Sequence, residues 1–488
     1  MVEAVVAWGA GGATRERSGT SRRTDQDEKF PERRRDETET WRGREVPSHV
    51  RGRRTNESKR MALLPIRGGG GRRAIFIAVS ALLLGCSSGA RKAGTKNHDE
   101  NERAAAASDV QKEKARSQRR RILSFGGNGM IGSEVLHQLL QNDQQYDIVL
   151  VSRGSWPFDS EERIAPHVQS IVCDRKTGLS NCPELMDEIQ STEEYYAVLD
   201  FSAYRPKWVQ DAVDLLQNKA RVYVYVSTDS VYEVTESPRY TAKSKRRSVE
   251  TDAVRPSDDD MREELNKDDR YGDRKFAGEE VLYAQSTLPH VSLRFADVIG
   301  PRDNTGRFVT YYAWVKFEKL ESVPNIAVPK GIPEATSITY VDDAAQSILL
   351  AMDVSNRDSW NASYNIACEE VFNVTSQIMS MGHLMGNHHI HPKRIQDLDI
   401  HVYPSVTKGP VDVSKAKDTL GFRPTPQEVA LSRTIRWYDK LYKKDGSFRK
   451  EVATELIGIL DEVNDYESDD ERHDAIESMR AEVRQQKN

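Results

Sequence analysis

Tyr271 and Lys275 stand four positions apart in the stretch Tyr271-Gly272-Asp273-Arg274-Lys275. On a helix this spacing puts both side chains on one face. A free phenol titrates near ~10, too high for a base at neutral pH. A neighbouring ammonium favours the phenolate and lowers that value. A tyrosine so placed can take a proton from an alcohol, or give one to a carbonyl, as a hydride moves to or from a nicotinamide. Lys275 has a second use, holding ribose hydroxyls. Thr228, at the end of an upstream strand, can hydrogen-bond and orient the reacting oxygen. Tyrosine and lysine at this spacing also occur on many helices by chance, so the pair takes its meaning from the elements that precede it.

Those elements begin at Arg121–Phe125, a short apolar run that reads as a buried strand. Gly126-Gly127-Asn128-Gly129-Met130-Ile131-Gly132 follows, and then a helical pattern with Val135, Leu136, Leu139 and Leu140 on one face. Strand, glycine turn and helix together form a dinucleotide cradle. Glycines let the backbone approach a pyrophosphate, and the N–H groups at the helix start favour that anion. Gly126, Asn128, Gly129, Met130, Ile131 and Gly132 are therefore expected to contact a cofactor. A second strand, Asp147–Val151, ends at Ser152-Arg153 without the acidic residue that accepts from an NAD ribose. Arg153 can instead pair with a 2′-phosphate. The expectation is NADP, with NAD still open, and the alternative for Arg153 is a solvated loop residue. A third strand, Val168–Val172, leads to Asp174, placed to contact adenine. A fourth, Tyr196–Phe201, ends at Ser202-Ala203, and a fifth, Val222–Val226, at Ser227-Thr228. Strands alternating with helical stretches predict an α/β fold with a Rossmann doubly wound parallel sheet. Ligands of such sheets sit beyond the carboxyl ends of the strands, where all these residues lie.

On these residues the chain resembles the extended short-chain dehydrogenase/reductases, the NAD(P)-dependent epimerase/dehydratase group. The matching stretches are Gly126–Gly132, Val226–Tyr232, Tyr271–Lys275, Leu293–Arg302, Tyr340–Ala345 and Ser414–Pro424, in the family's order. The resemblance implies a Thr228–Tyr271–Lys275 triad, and a nicotinamide lined by Val298 to Pro301. It also implies a smaller C-terminal substrate-binding region braced by Asp342 and Asp343. Implied substrates are nucleotide sugars or similar small molecules bearing a hydroxyl or ketone, and many relatives form homodimers. The implied enzyme is an oxidoreductase or epimerase. Dehydration is disfavoured, because Ser230 follows Asp229 where an acidic pair is usual. Tyr340, Phe201 and Glu233 also depart from the usual pattern. The alternative is a non-catalytic NADP-binding sensor or RNA-binding module on the same fold, although such relatives commonly lose the Tyr-x-x-x-Lys pair. The charged stretch Glu236 to Arg270 reads as a solvated insertion, with a substrate lid as the other reading.

Composition bounds the rest. The chain has 488 residues, 37 % hydrophobic and 30 % charged, which fits a globular core with polar extensions. A net charge of -5 gives no reason to expect nucleic acid. Residues 1–118 form an extension too polar to fold by itself, apart from the apolar segment 74–86. Arg72-Arg73 before that segment and Gly85-Cys86-Ser87-Ser88 after it resemble a secretory signal or lipoprotein anchor, above all if translation starts at Met61. The run is too short for a membrane span, and an inconsequential apolar patch is the other reading. The folded domain is expected over 119–450 and an acidic helical tail over 451–488. Cys86, Cys173, Cys182 and Cys368 show no metal spacing and read as free thiols, which favours a reducing compartment such as the cytoplasm. His388, His389 and His391 lack completing ligands nearby and read as a surface stretch, so no metal is expected.

Overall fold

The structure is a computed structural model that describes residues 119–141, 145–396, 398, 400, 403, 404, 406–464, 466 and 468–485. The extension 1–118, with its apolar segment 74–86 and Cys86, lies outside the described residues.

The apolar runs at the start of the domain become strands β1 (Arg120–Phe125), β2 (Tyr146–Ser152), β3 (Gln169–Val172), β4 (Ala197–Asp200), β5 (Tyr223–Thr228) and β6 (His290–Phe295). Shorter strands follow at β7 (Asp297–Ile299), β8 (Ala327–Pro329) and β9 (Ile338–Tyr340), then β10 (Ala362–Ile366) and β11 (Lys393–Ile395). The main sheet has the order β10-β6-β5-β4-β1-β2-β3 with every pairing parallel. Chain direction across the sheet reverses between β1 and β4, which opens the crevice where doubly wound sheets bind ligands. The expected fold class holds.

Side chains alternate across each strand, so each strand feeds a core on both faces. Ile122, Ile148, Leu150, Leu199, Val224 and Leu293 face one core. Helices α1 (Met130–Gln141) and α7 (Val341–Met352) cover it with Val135, Leu136 and Ile348. On the opposite face Phe125, Val149, Val198, Tyr223 and Tyr225 meet α2 (Pro183–Ser191), α3 (Pro206–Leu216) and α5 (Arg270–Tyr283).

The helix α4 (Asp259–Asp268) belongs to the charged insertion. The first part of that insertion is anchored rather than freely solvated, whereas α4 buries no residue. Ser248 bridges Val411, Ser237 Oγ lies 3.0 Å from Ser248 Oγ, and the Arg294 guanidinium donates to Glu250 O at 3.0 Å. Only 239–246 of its first part stays largely at the surface.

A separate core gathers α6 (Val309–Phe317), α8 (Val374–Leu384), α10 (Gln427–Lys444), α11 (Gly446–Val463) and α12 (Asp469–Gln485) around Tyr312, Trp314, Tyr438 and Phe448. Between α8 and α10 lies the short α9 (Ser414–Leu420). The boundary expected at 450 falls inside α11, and the expected tail is part of this core. Val452, Leu456, Ile459 and Leu460 repeat at helical spacing and are buried, and α12 adds Ile476, Met479 and Val483. The acidic residues that suggested a tail occupy the outer faces.

The thiols also differ from expectation. Cys173 follows β3 and Cys182 precedes α2, and the two form a disulfide with Cα atoms 6.0 Å apart. Cysteine usage therefore gives no argument for a reducing compartment. Cys368 is free and buried. Among the described residues no helix is long and apolar enough to cross a membrane.

Candidate active site

The glycine turn sits between β1 and α1, at the carboxyl edge of the sheet beside the β1/β4 crevice. Gly126 takes φ +77°, a conformation that disfavours side chains. A Cβ on Gly132 would lie 2.5 Å from Gly127 Cα and 2.9 Å from Gly127 O, so the turn and the first helical turn touch backbone to backbone. This close approach leaves the N–H groups at the start of α1 facing the crevice edge, a site fit for a dinucleotide pyrophosphate. The side chains differ in their availability. Asn128 donates to the Ser155 carbonyl. Met130 is 8 % exposed and belongs to the C-terminal core with Ile299 and Phe308, tying the turn to that core. Ile131 packs on the α1/α7 core. Around Met130 and Ile131, backbone rather than side chain is what the turn can offer a ligand.

The other strand ends converge on the same edge. Arg153 is exposed at the end of β2. Asp174 is exposed after β3, where its carboxylate accepts from Lys176 N at 3.0 Å. Ser202 Oγ accepts from the Arg175 guanidinium at 2.9 Å, and the Ala203 carbonyl accepts from Lys275. Val298 is half-buried on β7, and its carbonyl accepts from the Tyr403 hydroxyl.

Beneath this edge lies an ion pair that sequence reasoning missed. Arg175 reaches Asp200 at 2.8 and 3.0 Å in the interior, and Tyr223 donates to the same carboxylate at 2.5 Å. Asp200 also accepts from Ser202 N and Ala203 N at 2.9 Å each, which fixes the segment leaving β4. The partners are 25 residues apart, and no local spacing joins them.

Tyr271 lies in the first turn of α5, which Asp269 caps by accepting from Gly272 N at 2.8 Å. A Cβ on Gly272 would strike the Ser230 carbonyl, so glycine at this position lets α5 close against the turn that follows β5. Thr228 caps that turn, its Oγ1 accepting from Ser230 N at 3.2 Å and lying 3.4 Å from Asp229 Oδ1. Tyr271 remains 43 % exposed, its ring 6.4 Å from that of Tyr204. Lys275 is 1 % exposed. Its ammonium donates to Val226 O at 2.8 Å and to Ala203 O at 3.1 Å, between the Tyr204 and Tyr225 rings at 4.7 and 5.0 Å. The helix carries Tyr271 and Lys275 one turn apart and packs against the turn that Thr228 caps.

The electrostatics differ from the sequence expectation. Burial brings the Lys275 amine down to about 7, against the opposing pull of Asp200. Tyr271 is raised rather than lowered. Desolvation of the phenol in the cleft acts most, Tyr204 adds to it, and Arg307 opposes. The correction has a simple cause. Lys275 spends its N–H groups on backbone carbonyls, and desolvation of the phenol outweighs the cations near it. Arg307, which draws the value down, lies 3.1 Å from Asp297 and over the Tyr403 ring at 4.8 Å. Asp229, beside Thr228, is held well above the usual carboxylate range by burial and by the nearby charges of Asp297 and Glu233.

A second interior ion pair holds α5 in place. Glu279 accepts from Arg294 at 2.7 Å, from Ser227 Oγ at 2.5 Å and from Ser363 Oγ at 2.9 Å. Burial alone would raise its carboxyl, but Arg294 and the two hydroxyls outweigh burial and lower it. Glu279 continues the Tyr271–Lys275 face by one further turn, which is the signal that sequence reading passed over. On the far side, Asp343 accepts from Thr425 N and Oγ1 at 2.7 and 2.6 Å. The link ties α7 to the segment before α10. His388 meets His383 with Nδ1 atoms 2.8 Å apart, and among the described residues no group of three or more ligands is arranged for a metal.

Comparison with known proteins gives this arrangement a family. The described fold is similar to dTDP-glucose 4,6-dehydratase from Bacillus anthracis, solved with NAD. Identity is 17 %, the TM-score 0.53, and the match covers 67 % of this chain and 99 % of that one. It is also similar to UDP-N-acetylglucosamine 4-epimerase from Methanobrevibacter ruminantium, solved with UDP-N-acetylmuramic acid. There the identity is 16 % and the TM-score 0.50, over 66 % of this chain and 99 % of that one. At such identities the likeness shows the fold. No curated protein matches the sequence. The sequence profile of the NAD dependent epimerase/dehydratase family matches residues 122–367. That match spans just over half of the sequence, and the chain belongs to the NAD dependent epimerase/dehydratase family.

Proposed function

We propose that this enzyme oxidises or epimerises a hydroxyl-bearing carbon of a nucleotide sugar or similar small molecule, with Tyr271 as its acid–base group. One observation carries the reading. The Tyr271 phenol and the glycine cradle lie at the same edge of the sheet, across the β1/β4 crevice, with the Lys275 amine buried one helical turn behind Tyr271. A bound nicotinamide supplies the hydride acceptor and donor at that edge. The Gly126–Gly132 turn and the start of α1 hold the pyrophosphate, and Val298 and the segment after β7 flank the reacting end. Asp174 and Arg153 lie on the adenosine side. Tyr271 Oη, held protonated by desolvation, gives its proton to a substrate keto oxygen as the hydride arrives and recovers one when the alcohol is oxidised, and Thr228 orients the substrate oxygen. The nucleotide-sugar class follows from the names of the structural neighbours, whose fold this chain shares.

Arg153 at the end of β2 supports NADP as the preferred form. Separate titrations of NADPH and NADH against the wild type and Arg153→Ala decide it. A loss of NADPH affinity confined to the variant supports the preference, and equal binding of both cofactors removes it. Turnover is followed with dTDP-glucose, UDP-glucose and UDP-N-acetylglucosamine. Tyr271→Phe is expected to lower kcat by roughly 10²-fold or more with cofactor affinity unchanged. An unchanged rate would refute the assignment, and cofactor binding without turnover of any alcohol or ketone would favour a sensor.

A further inference from the structure

We propose that Tyr204 is a positioning residue, whose ring walls the Lys275 ammonium off from the cleft and so sets the charge the lysine carries beside Tyr271. The inference rests on the reading of Tyr271 and Lys275 as one acid–base unit.

Lys275 Nζ is enclosed by the Ala203 and Val226 carbonyls and by the rings of Tyr225 and Tyr204. Ala203 and Tyr225 are 0 % exposed, whereas Tyr204 is 39 % exposed and borders Tyr271. The water-facing side of the cage is therefore the Tyr204 ring. Behind it the cage is firm. Asp200 fixes Ser202 N and Ala203 N, and Tyr225 donates to Ala203 O at 3.1 Å. Removing the ring opens one side without dismantling the others.

The charged and titratable groups facing this amine come from several elements. Asp200 ends β4 and Arg175 follows β3, with Glu279 on α5 itself and the Tyr204 and Tyr225 phenols on either side. Asp200 and Glu279 favour the ammonium and Arg175 opposes it, yet burial is the largest influence and holds the amine to about 7. Water admitted through the Tyr204 side relieves burial and favours the charged form. Loss of the ring's attraction for the cation acts in the opposite sense and is the smaller effect.

The test needs no substrate. The full chain is labelled with a small acylating reagent across a pH series, and modification of the Lys275 peptide is read by mass spectrometry. Wild type and Tyr204→Phe, which keeps the ring, should share a midpoint near 7. Tyr204→Ala and Tyr204→Ser should shift it upward by roughly one pH unit or more, about a fivefold or larger drop in neutral amine at pH 7. Thermal melting shows which variant is folded, and either one suffices. A wild-type midpoint in a folded Tyr204→Ala or Tyr204→Ser protein overturns the proposal. So does a Tyr204→Phe midpoint that moves as far as theirs. If the midpoint moves while Tyr271→Phe keeps full turnover, the wall stands and the acid–base reading falls.

Discussion

Replacing Glu279 with glutamine changes one atom and removes one charge from the interior beneath α5. Arg294 then remains 2 % exposed beside Tyr232 and the Glu250 carbonyl, its carboxylate partner gone. Leaving a buried charge without its partner costs about 3–5 kcal/mol, because desolvation is no longer offset by Coulomb attraction. Unfolding entropy of about 2.1 cal/mol/K per residue, over the roughly 370 residues from Arg119 onward, gives about 0.8 kcal/mol per degree. The thermal midpoint should therefore fall by about 4–6 °C at neutral pH. The pH dependence gives an independent check. The Glu279 carboxyl is lowered in the folded state from its ordinary 4.5. Its contribution is complete above 4.5 and is lost as the pH falls through the lower folded value. Glutamine has no such limb, so the two melting curves should converge in acid. Differential scanning calorimetry between pH 3 and pH 8 reads both effects. A variant melting within about one degree of wild type at neutral pH, or a gap that widens in acid, would refute the reasoning.

Two further outcomes follow from the cofactor edge and the disulfide. Gly132→Ala places a Cβ 2.5 Å from Gly127 Cα, where no side-chain rotation relieves it, so the glycine turn must move. NAD affinity, measured by fluorescence titration, should fall by roughly tenfold or more, since a shift of about 1 Å misplaces the backbone N–H donors; undiminished affinity would show that the turn does not hold the cofactor. Cys173→Ser opens the loop between two cysteines 9 positions apart. Chain entropy predicts a loss of about 2–3 kcal/mol in denaturant unfolding under non-reducing conditions, and no difference from wild type once both are reduced.

The sequence made the local features legible and left the long-range ones unread. The turn at Gly126–Gly132 and the pair Tyr271–Lys275 are local: a few residues decide the conformation, and helical geometry decides the shared face. The strand ends followed from apolar runs and agree with the observed strands to within a residue or two. What stayed hidden needs the fold to bring distant residues together. Tyr204 meets Tyr271 only because α5 packs on the face of the sheet where β4 ends. Arg175 finds Asp200 across the sheet edge. The outward charges of α11 and α12 dominate composition and suggest a tail, although Val452, Leu456 and Ile459 repeat at the spacing of a buried stripe. Helical spacing puts Lys275 one turn along α5 from Tyr271, but it could not show that backbone carbonyls would take the ammonium.

These hidden contacts share a logic. Arg175–Asp200 lies under the segment that leaves β4, and Arg294–Glu279 lies under α5. Together those two elements carry Tyr204, Tyr271 and Lys275. Buried ion pairs add little net stability over well-packed apolar residues, since desolvation consumes most of the Coulomb gain. What they impose is direction, because each carboxylate accepts several donors and tolerates few other arrangements. Asp200 binds Arg175, Tyr223 and two backbone N–H groups at once, and Glu279 binds Arg294, Ser227 and Ser363. Proton transfer needs donor and acceptor held within hydrogen-bond reach, a tolerance tighter than apolar packing alone enforces. The two ion pairs are thus best understood as the rigid footing of the Tyr271 cleft, with the glycine turn across the crevice fixed separately by its own backbone contacts.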